Sequence, residues 1–256
     1  MKKVQFTAES GHWYDRNGNP AYTVLGKNGQ ERPTTLRDAR KLDLVPSVTT
    51  VMKVAAAPGL ERWKQEQILL AALTLPRNEG EPESDWLNRV IEDSRETGKK
   101  AADAGTAIHA SIQAYFEDMP VPEEHQRHVA GFMSLLRDTF GERPWVSEMA
   151  FCHLMGYGGK VDLYSPAQDD YGIVVDVKTK EFGPDDKVSG FDEHLMQLAA
   201  YRAGLMMGKA RGANVFVSRS HPGLAVVVEW TAEELDKGWA LFTRLLDFWQ
   251  IKNDHR

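Results

Sequence analysis

The chain has 256 residues, with 31 Lys and Arg against 37 Asp and Glu, a formal net charge of −6 and a hydrophobic share of 42%. That balance excludes a disordered or collagen-like chain and supplies enough apolar material for one large or two small domains. A single cysteine, Cys152, excludes a disulfide framework and any four-cysteine zinc or iron–sulfur site within the chain. The opening residues MKKVQFTAES hold no apolar run of the signal-peptide kind, and no stretch approaches the ~18 apolar residues of a membrane span, so a cytoplasmic protein without a membrane partner is expected. An acidic total also argues against a phosphate-rich partner. The charge is uneven, however: residues 1–75 carry 11 Lys/Arg against 7 Asp/Glu, and residues 101–256 carry 15 against 23. Most acids of the second part read as a solvated surface, and a few as candidate metal ligands whose charge a bound cation would neutralise.

Turn signals dominate the first 45 residues. Asn17-Gly18-Asn19-Pro20 separates His12-Trp13-Tyr14 from Tyr22–Leu25 and predicts a hairpin, with a second turn at Asn28-Gly29. Ser47 is a candidate cap for a short helix reaching Val54, and Pro58 suits the first turn of a helix over residues 60–75. Leu60, Trp63, Leu70 and Leu73 recur there at helical spacing, which predicts core packing for Trp63. PRNEGEPES is a polar loop. Ser84 or Asp85 would cap a helix holding Trp86, Leu87, Val90 and Ile91, and a separate helix is expected over about 99–116. Its Ala101, Ala102 and Gly105 make a slim face that another backbone can approach. A further helix is expected over 125–140.

Past residue 143 the period changes. Residues 145–152, 158–164 and 172–179 read as strands, 192–207 as a helix, and 213–218 and 224–230 as strands. Thr231 with Glu234 forms a capping box for a last helix. The order implies an α/β fold, a mixed central β-sheet flanked by helices, with residues 1–98 as an N-terminal hairpin and helical extension on a core of 99–256.

Within that core, Asp176 and Lys178 stand two apart on a strand and share a face. Taken alone, the pair reads more readily as a salt bridge at a sheet edge. Asp162 ends Gly158-Gly159-Lys160-Val161-Asp162, and an antiparallel hairpin would bring its carboxylate beside that of Asp176. Two such carboxylates ionise together only if a cation lies between them, and hard oxygen donors favour Mg²⁺ or Mn²⁺. His109, on the Ala/Gly-rich helix, offers a neutral imidazole nitrogen. Glu148 is polar among apolar neighbours on the first strand, and Gln197 and Tyr201 stand at i and i+4 on one helical face.

The ordered set G-x-x-x-H, E, G-G-K-V-D, D-V-K-T and Q-x-x-x-Y resembles the PD-(D/E)xK nuclease superfamily. It is most similar to the RecB-type exonucleases, including phage exonucleases and the mitochondrial genome maintenance exonuclease. The motifs span His109 to Tyr201, and the matching element order covers about 99–230. With one cysteine, the chain resembles the branch without an iron–sulfur cluster. The resemblance implies a restriction-endonuclease-like core and a Mg²⁺ or Mn²⁺ ion held by His109, Asp162, Asp176 and the carbonyl of Val177. It implies Lys178 as the group that orients or deprotonates water, Glu148 as a second-metal or water-positioning ligand, and Gln197 and Tyr201 as positioners of Lys178 or the phosphodiester.

The implied reaction is hydrolysis of DNA at its ends, in recombination, repair or phage DNA processing. The implied partners are DNA and a recombination or single-strand-annealing protein, in a bacterial or phage-infected cell. Ser47, Thr49, Thr50, Lys53, Arg62 and Lys64 are the candidate DNA contacts, within a basic set that also holds Lys27, Arg32, Arg37, Arg40 and Lys41. Trp13, Tyr14 and Trp63 are candidate stacking surfaces for bases. A structure-specific endonuclease, a non-catalytic nucleic-acid-binding protein and a metal protein with another substrate are the competing readings.

Overall fold

A computed structural model describes residues 11–55, 58–168 and 170–256. The opening residues in which no signal peptide is read lie outside the described part. The chain starts with short strands β1 (Trp13–Tyr14), β2 (Thr23–Leu25) and β3 (Glu31–Pro33), then helix α1 (Leu36–Leu42), strand β4 (Val45–Pro46) and helix α2 (Val48–Met52). Two long helices follow, α3 (Pro58–Thr74) and α4 (Glu83–Phe116), and then α5 (Gln126–Phe140). The second part runs β5 (Val146–His153), β6 (Tyr157–Ser165), β7 (Ile173–Lys180), α6 (Asp192–Gly204), β8 (Arg211–Ser218), β9 (Ala225–Trp230) and α7 (Ala232–Asn253).

The central sheet has the order β5-β6-β7-β8-β9. All neighbours are antiparallel except β7 and β8, which run parallel through the crossover helix α6. One face carries α4 and α5: Ile108, Ile112, Phe132 and Leu136 pack on Ile173, Val175, Val177, Ala213 and Val215. The other face carries α6, α7 and the N-terminal segment, through Val174, Leu195, Leu198, Phe242, Leu246, Val48 and Trp13. The protein is therefore α/β with a mixed five-stranded sheet between helical layers. Among the described residues, no helix is long and apolar enough to cross a membrane.

Several expectations change. The chain does reverse at Asn17–Pro20, where Tyr14 bridges Pro20, but β1 pairs with β4, and the hairpin is β2–β3 around Asn28-Gly29. Burial decides this: Trp13 and Tyr14 are both buried, and Trp13 donates its indole N–H to the Thr34 carbonyl. They are unavailable for stacking on bases. The two helices expected on either side of residues 92–98 are one 34-residue helix, α4. Gly98 lies inside it, at the small propensity cost of an interior glycine, with the Trp63 ring packed 3.4 Å from where a Cβ would stand. The Glu96–Lys100 pair supports the same turn. Its N-cap is Pro82, without a side-chain bond, in place of Ser84 or Asp85.

The boundary drawn between residues 98 and 99 thus falls inside a helix, so extension and core share it. Trp63 itself sits at 38% exposure on this helical pair and outside the main core, and Leu60, Leu70 and Leu73 are exposed as well. The α3 helix packs chiefly on α4, so only one side of its apolar stripe is covered. The caps of α2 and α7 match their expectations: Ser47 accepts from the Thr50 N–H, and Thr231 and Glu234 form a reciprocal box.

Candidate active site

The sheet opens where β6 and β7 part. Their ladder holds only Leu163 to Val175, Tyr164 to Val174 and Ser165 to Ile173. Beyond it the strands diverge, and the Asp162 carboxylate replaces the missing ladder by accepting the Val177 N–H at 2.7 Å. The gap is bordered on the other side by α4, which approaches β7 through Gly105. A Cβ there would lie 2.4 Å from Thr179 Oγ1, so this close approach needs glycine. The slim Ala/Gly face expected from the sequence is thereby put to use. A cavity of about 370 Å³ opens between Ala102, Gly105, Thr106 and His109 of α4 and Val177, Lys178 and Thr179 of β7.

His109 reaches across that cavity to Asp162, with Nε2 at 3.3 Å from Oδ1. Glu148 stands opposite Asp162, between the paired positions Ser147–Leu163 and Met149–Val161. Its φ of 56° is a left-handed conformation within a strand, which costs roughly 1–2 kcal/mol for a residue with a side chain. This strain turns the carboxylate into the gap. Donor atoms of His109, Glu148 and Asp162 all lie within 4.8 Å of one another. One imidazole nitrogen and two carboxylates at that spacing fit a hard divalent cation.

Two positive groups balance the acids. Lys160, two residues before Asp162 and on the same face, forms an ion pair with Glu148. Lys178 Nζ lies 2.8 Å from Asp176 Oδ1 and 2.7 Å from Oδ2, and donates to Gln197 Oε1 at 3.0 Å. The Gln197 amide in turn donates to Tyr201 Oη at 2.8 Å. The i, i+4 pair on α6 therefore faces inward onto Lys178. Gly159 makes room for Phe151 and Tyr201, since a Cβ there would lie 2.9 Å from the first ring and 3.0 Å from the second, and Gly158 does the same for Tyr14 at 2.8 Å. The double glycine of the GGKVD run is a place where two tyrosines press on one strand.

Electrostatics follow the geometry. Burial raises Asp176 to about 6, an effect that Lys178 opposes and Asp162 reinforces. Burial also pushes Asp162 upward, but the His109 hydrogen bond, Lys178 and the Val177 N–H outweigh it and hold it below its usual range. Burial lowers His109, yet Asp162 more than compensates, so the imidazole is shifted up. The buried Lys178 ammonium is kept above its ordinary range by Asp176 and Asp162 against its own desolvation. His194, which accepts the Phe191 N–H at the start of α6, is held to about 4 by burial and by Lys178 and Lys180. A neutral imidazole therefore sits at that helix start.

The structure thus brings His109, Glu148 and Asp162 together, and brings Asp176, Lys178, Gln197 and Tyr201 together beside them. Asp176 lies outside the donor trio: both its oxygens are turned to Lys178, and Oδ2 also accepts from Asn214 at 2.7 Å. Val177 lines the cavity, and its N–H serves Asp162.

The candidate DNA contacts are placed differently. Ser47 is buried and its hydroxyl is spent on the α2 cap, while Thr50 Oγ1 accepts the His12 N–H. Thr49 Oγ1 lies 3.0 Å from the same Ser47 hydroxyl. With five residues in α2, these groups form a capped turn holding β1 to Gly158, and they do not offer a free phosphate cradle. Lys53 is exposed at the end of α2. Arg62 pairs with Glu66 and Lys64 with Glu61 on the outer surface of α3. Arg32 is held by Asp38, and Arg40 by the Asn253 carbonyl.

Sequence reasoning missed Asn214, Trp230 and the pairing of Lys160. The signal for Asn214 is an amide inside the apolar strand Ala213–Val217.

No family model matches the chain, and no curated protein matches it. Among solved structures, one titled "Crystal structure of SSO0001" aligns over 73% of this chain and 86% of its own, at 16% identity and a TM-score of 0.30. A likeness at that score carries no argument, and the reading of the site rests on its geometry.

Proposed function

We propose that this protein is a divalent-metal-dependent deoxyribonuclease with a PD-(D/E)xK core of the RecB-type, cluster-free kind, acting on DNA ends. The observation that carries the reading is the pair of adjoining clusters in one gap of the sheet. A nitrogen and two carboxylates are gathered within 4.8 Å, and beside them a lysine is bridged between a buried carboxylate and an amide. His109, Glu148 and Asp162 would hold Mg²⁺ or Mn²⁺, with Asp176 next to them. A bound divalent cation supplies Lewis acidity, lowering the pKa of water and drawing charge from a phosphodiester oxygen.

The chain's own groups do the rest. Lys178, kept protonated by Asp176, donates and stays positive, so its role is to hold the attacking water and offset charge growing on the phosphate. Gln197 fixes the direction of Lys178, and Tyr201 fixes Gln197. Glu148 positions water or cation from the strained turn of β5. Asp162, anchored by the Val177 N–H, keeps His109 aimed into the cavity.

The test uses 5′- and 3′-labelled single- and double-stranded DNA and closed circular DNA, each with Mg²⁺, Mn²⁺ or EDTA. Cutting of linear DNA from its ends, lost in EDTA, is expected, and Lys178→Ala or Asp162→Asn should lower the rate at least about a hundredfold. Wild-type cutting by either folded variant refutes the mechanism. Cutting of closed circles would move the assignment to an endonuclease.

A further inference from the structure

We propose that Asn214 and Trp230 are positioning residues for Asp176: a donor at the edge of the sheet fixes, through one amide, the face that the Asp176 carboxylate turns to Lys178. The inference rests on the reading of Asp176 and Lys178 as groups of the reacting site. In the register, Asp176 is the direct partner of Asn214, and Gly212 is the direct partner of Trp230. Positions 212 and 214 share a face, so the side chains of Asp176, Asn214 and Trp230 line one face of three neighbouring strands.

The bonding along that row has only one sense. An indole N–H can donate and never accept. Trp230 Nε1 lies 2.8 Å from Asn214 Oδ1, so the amide must present its oxygen to the indole and its NH₂ to Asp176 Oδ2, at 2.7 Å. Asn214 and Asp176 are both completely buried, so neither bond competes with bulk water. Lys178 Nζ spans both carboxylate oxygens, and Gln197 holds the lysine from the far side. Rotation of the carboxylate would therefore break the Asn214 bond and the Lys178 bridge together.

A buried amide in the apolar strand Ala213–Val217 is costly unless both its ends are used. An aliphatic residue would fill the same space without that cost, so the amide is explained by the carboxylate it orients. The indole is itself held at the sheet edge. Gly190, in the loop before α6, lies so close to it that a Cβ there would fall 2.3 Å from Trp230 Cζ2.

The test takes Trp230→Phe, which keeps a ring and removes the donor, Asn214→Leu, and the double variant, each first shown to be folded by circular dichroism and urea unfolding. Trp230 is only partly buried, so Trp230→Phe keeps the proposal falsifiable if Asn214→Leu fails to fold. Two quantities are read: the Mn²⁺ dissociation constant by calorimetry, and kcat and KM for cleavage of labelled DNA. Trp230→Phe is expected to lower kcat about tenfold, the worth of one hydrogen bond in an oriented charged network, with KM within about twofold. It should also weaken Mn²⁺ binding at least about threefold, because Asp176 stands beside the His109, Glu148 and Asp162 donors and a carboxylate free to turn no longer holds its charge toward a cation there. The double variant should match Asn214→Leu, because Trp230 acts only through that amide.

Folded single variants with wild-type kcat and Mn²⁺ affinity overturn the proposal while leaving the nuclease reading intact, as does a further drop in kcat when Trp230→Phe is added to Asn214→Leu. If the wild-type protein fails to cut DNA, the nuclease reading falls. The Mn²⁺ measurement on the same variants then decides the positioning role alone.

Discussion

Lys178→Met removes the ammonium beside Asp176 and keeps most of the side chain's volume, which makes it a direct probe of the buried pair. In the metal-free protein Asp176 is raised to about 6 from an ordinary 3.8, mainly by burial. A folded value above the unfolded one means that the folded state holds the proton more tightly. Wild-type stability therefore falls as pH rises from about 4 to about 6 and is flat with respect to this group above that. Lys178 is the main influence opposing the shift. Without it, burial and the Asp162 charge push the Asp176 carboxyl further up.

The variant then goes on losing stability above pH 6, where the wild type no longer does. The gap between the two proteins opens by about 1.4 kcal/mol for each pH unit over which the variant's carboxyl stays protonated and the wild type's does not. Lys178 also bears on Asp162 and His194, so the difference between the two proteins reports the charge cluster around the lysine, with Asp176 at its centre. The Gln197 bond lost with Lys178 adds an offset that does not change with pH. Urea unfolding in EDTA, followed by tryptophan fluorescence at pH 5.5 and 8, reads the effect directly. With an m-value of about 3 kcal/mol/M, each such unit adds roughly 0.5 M to the separation of midpoints at pH 8. An equal separation at the two pH values would refute the electrostatic account of the pair.

Other expected outcomes test the rest of the gap. Saturating Mn²⁺, at about a hundred times its dissociation constant, should stabilise the protein by about 2.7 kcal/mol and raise Tm by roughly 5–10 °C, and Asp162→Asn should abolish the rise seen by differential scanning fluorimetry. Lys160→Met frees Glu148 from its ion pair and should tighten Mn²⁺ binding at least about fivefold by calorimetry, as removal of a nearby positive charge requires; an unchanged affinity would detach Glu148 from the cation site. Gly105→Ala would gain about 1 kcal/mol from helix propensity alone, but the Thr179 contact should turn this into a loss of roughly 1–3 kcal/mol and a weaker Mn²⁺ site. A higher Tm for that variant would refute the close approach of α4 to β7.

How much of this was readable from the sequence depended on how local each cause was. The caps of α2 and α7, the strand periods and the shared face of Asp176 and Lys178 are set by neighbours a few residues away, and the structure carries them at the expected positions. Gln197 and Tyr201 were legible as one helical face, yet the sequence could not say that the face turned inward, since α6 is buried nearly all round. The continuity of α4 was hidden for a similar reason. Its polar run and Gly98 resemble a break, and only the packing of α3 along α4 shows that the helix runs through them.

Asn214 and Trp230 belong to the same class of cause. They are 16 residues apart on different strands, and their relation to Asp176 exists only once β8 lies between β7 and β9. An amide in an apolar strand was the visible trace of that relation. The donor-only chemistry of indole gives it direction, and neither fact is informative without the other. The same logic applies to Glu148, where a polar residue on a strand was visible but its left-handed backbone was not. Its conformation costs stability and aims a carboxylate at His109 and Asp162, so the strain is best understood as the means by which β5 contributes to the site.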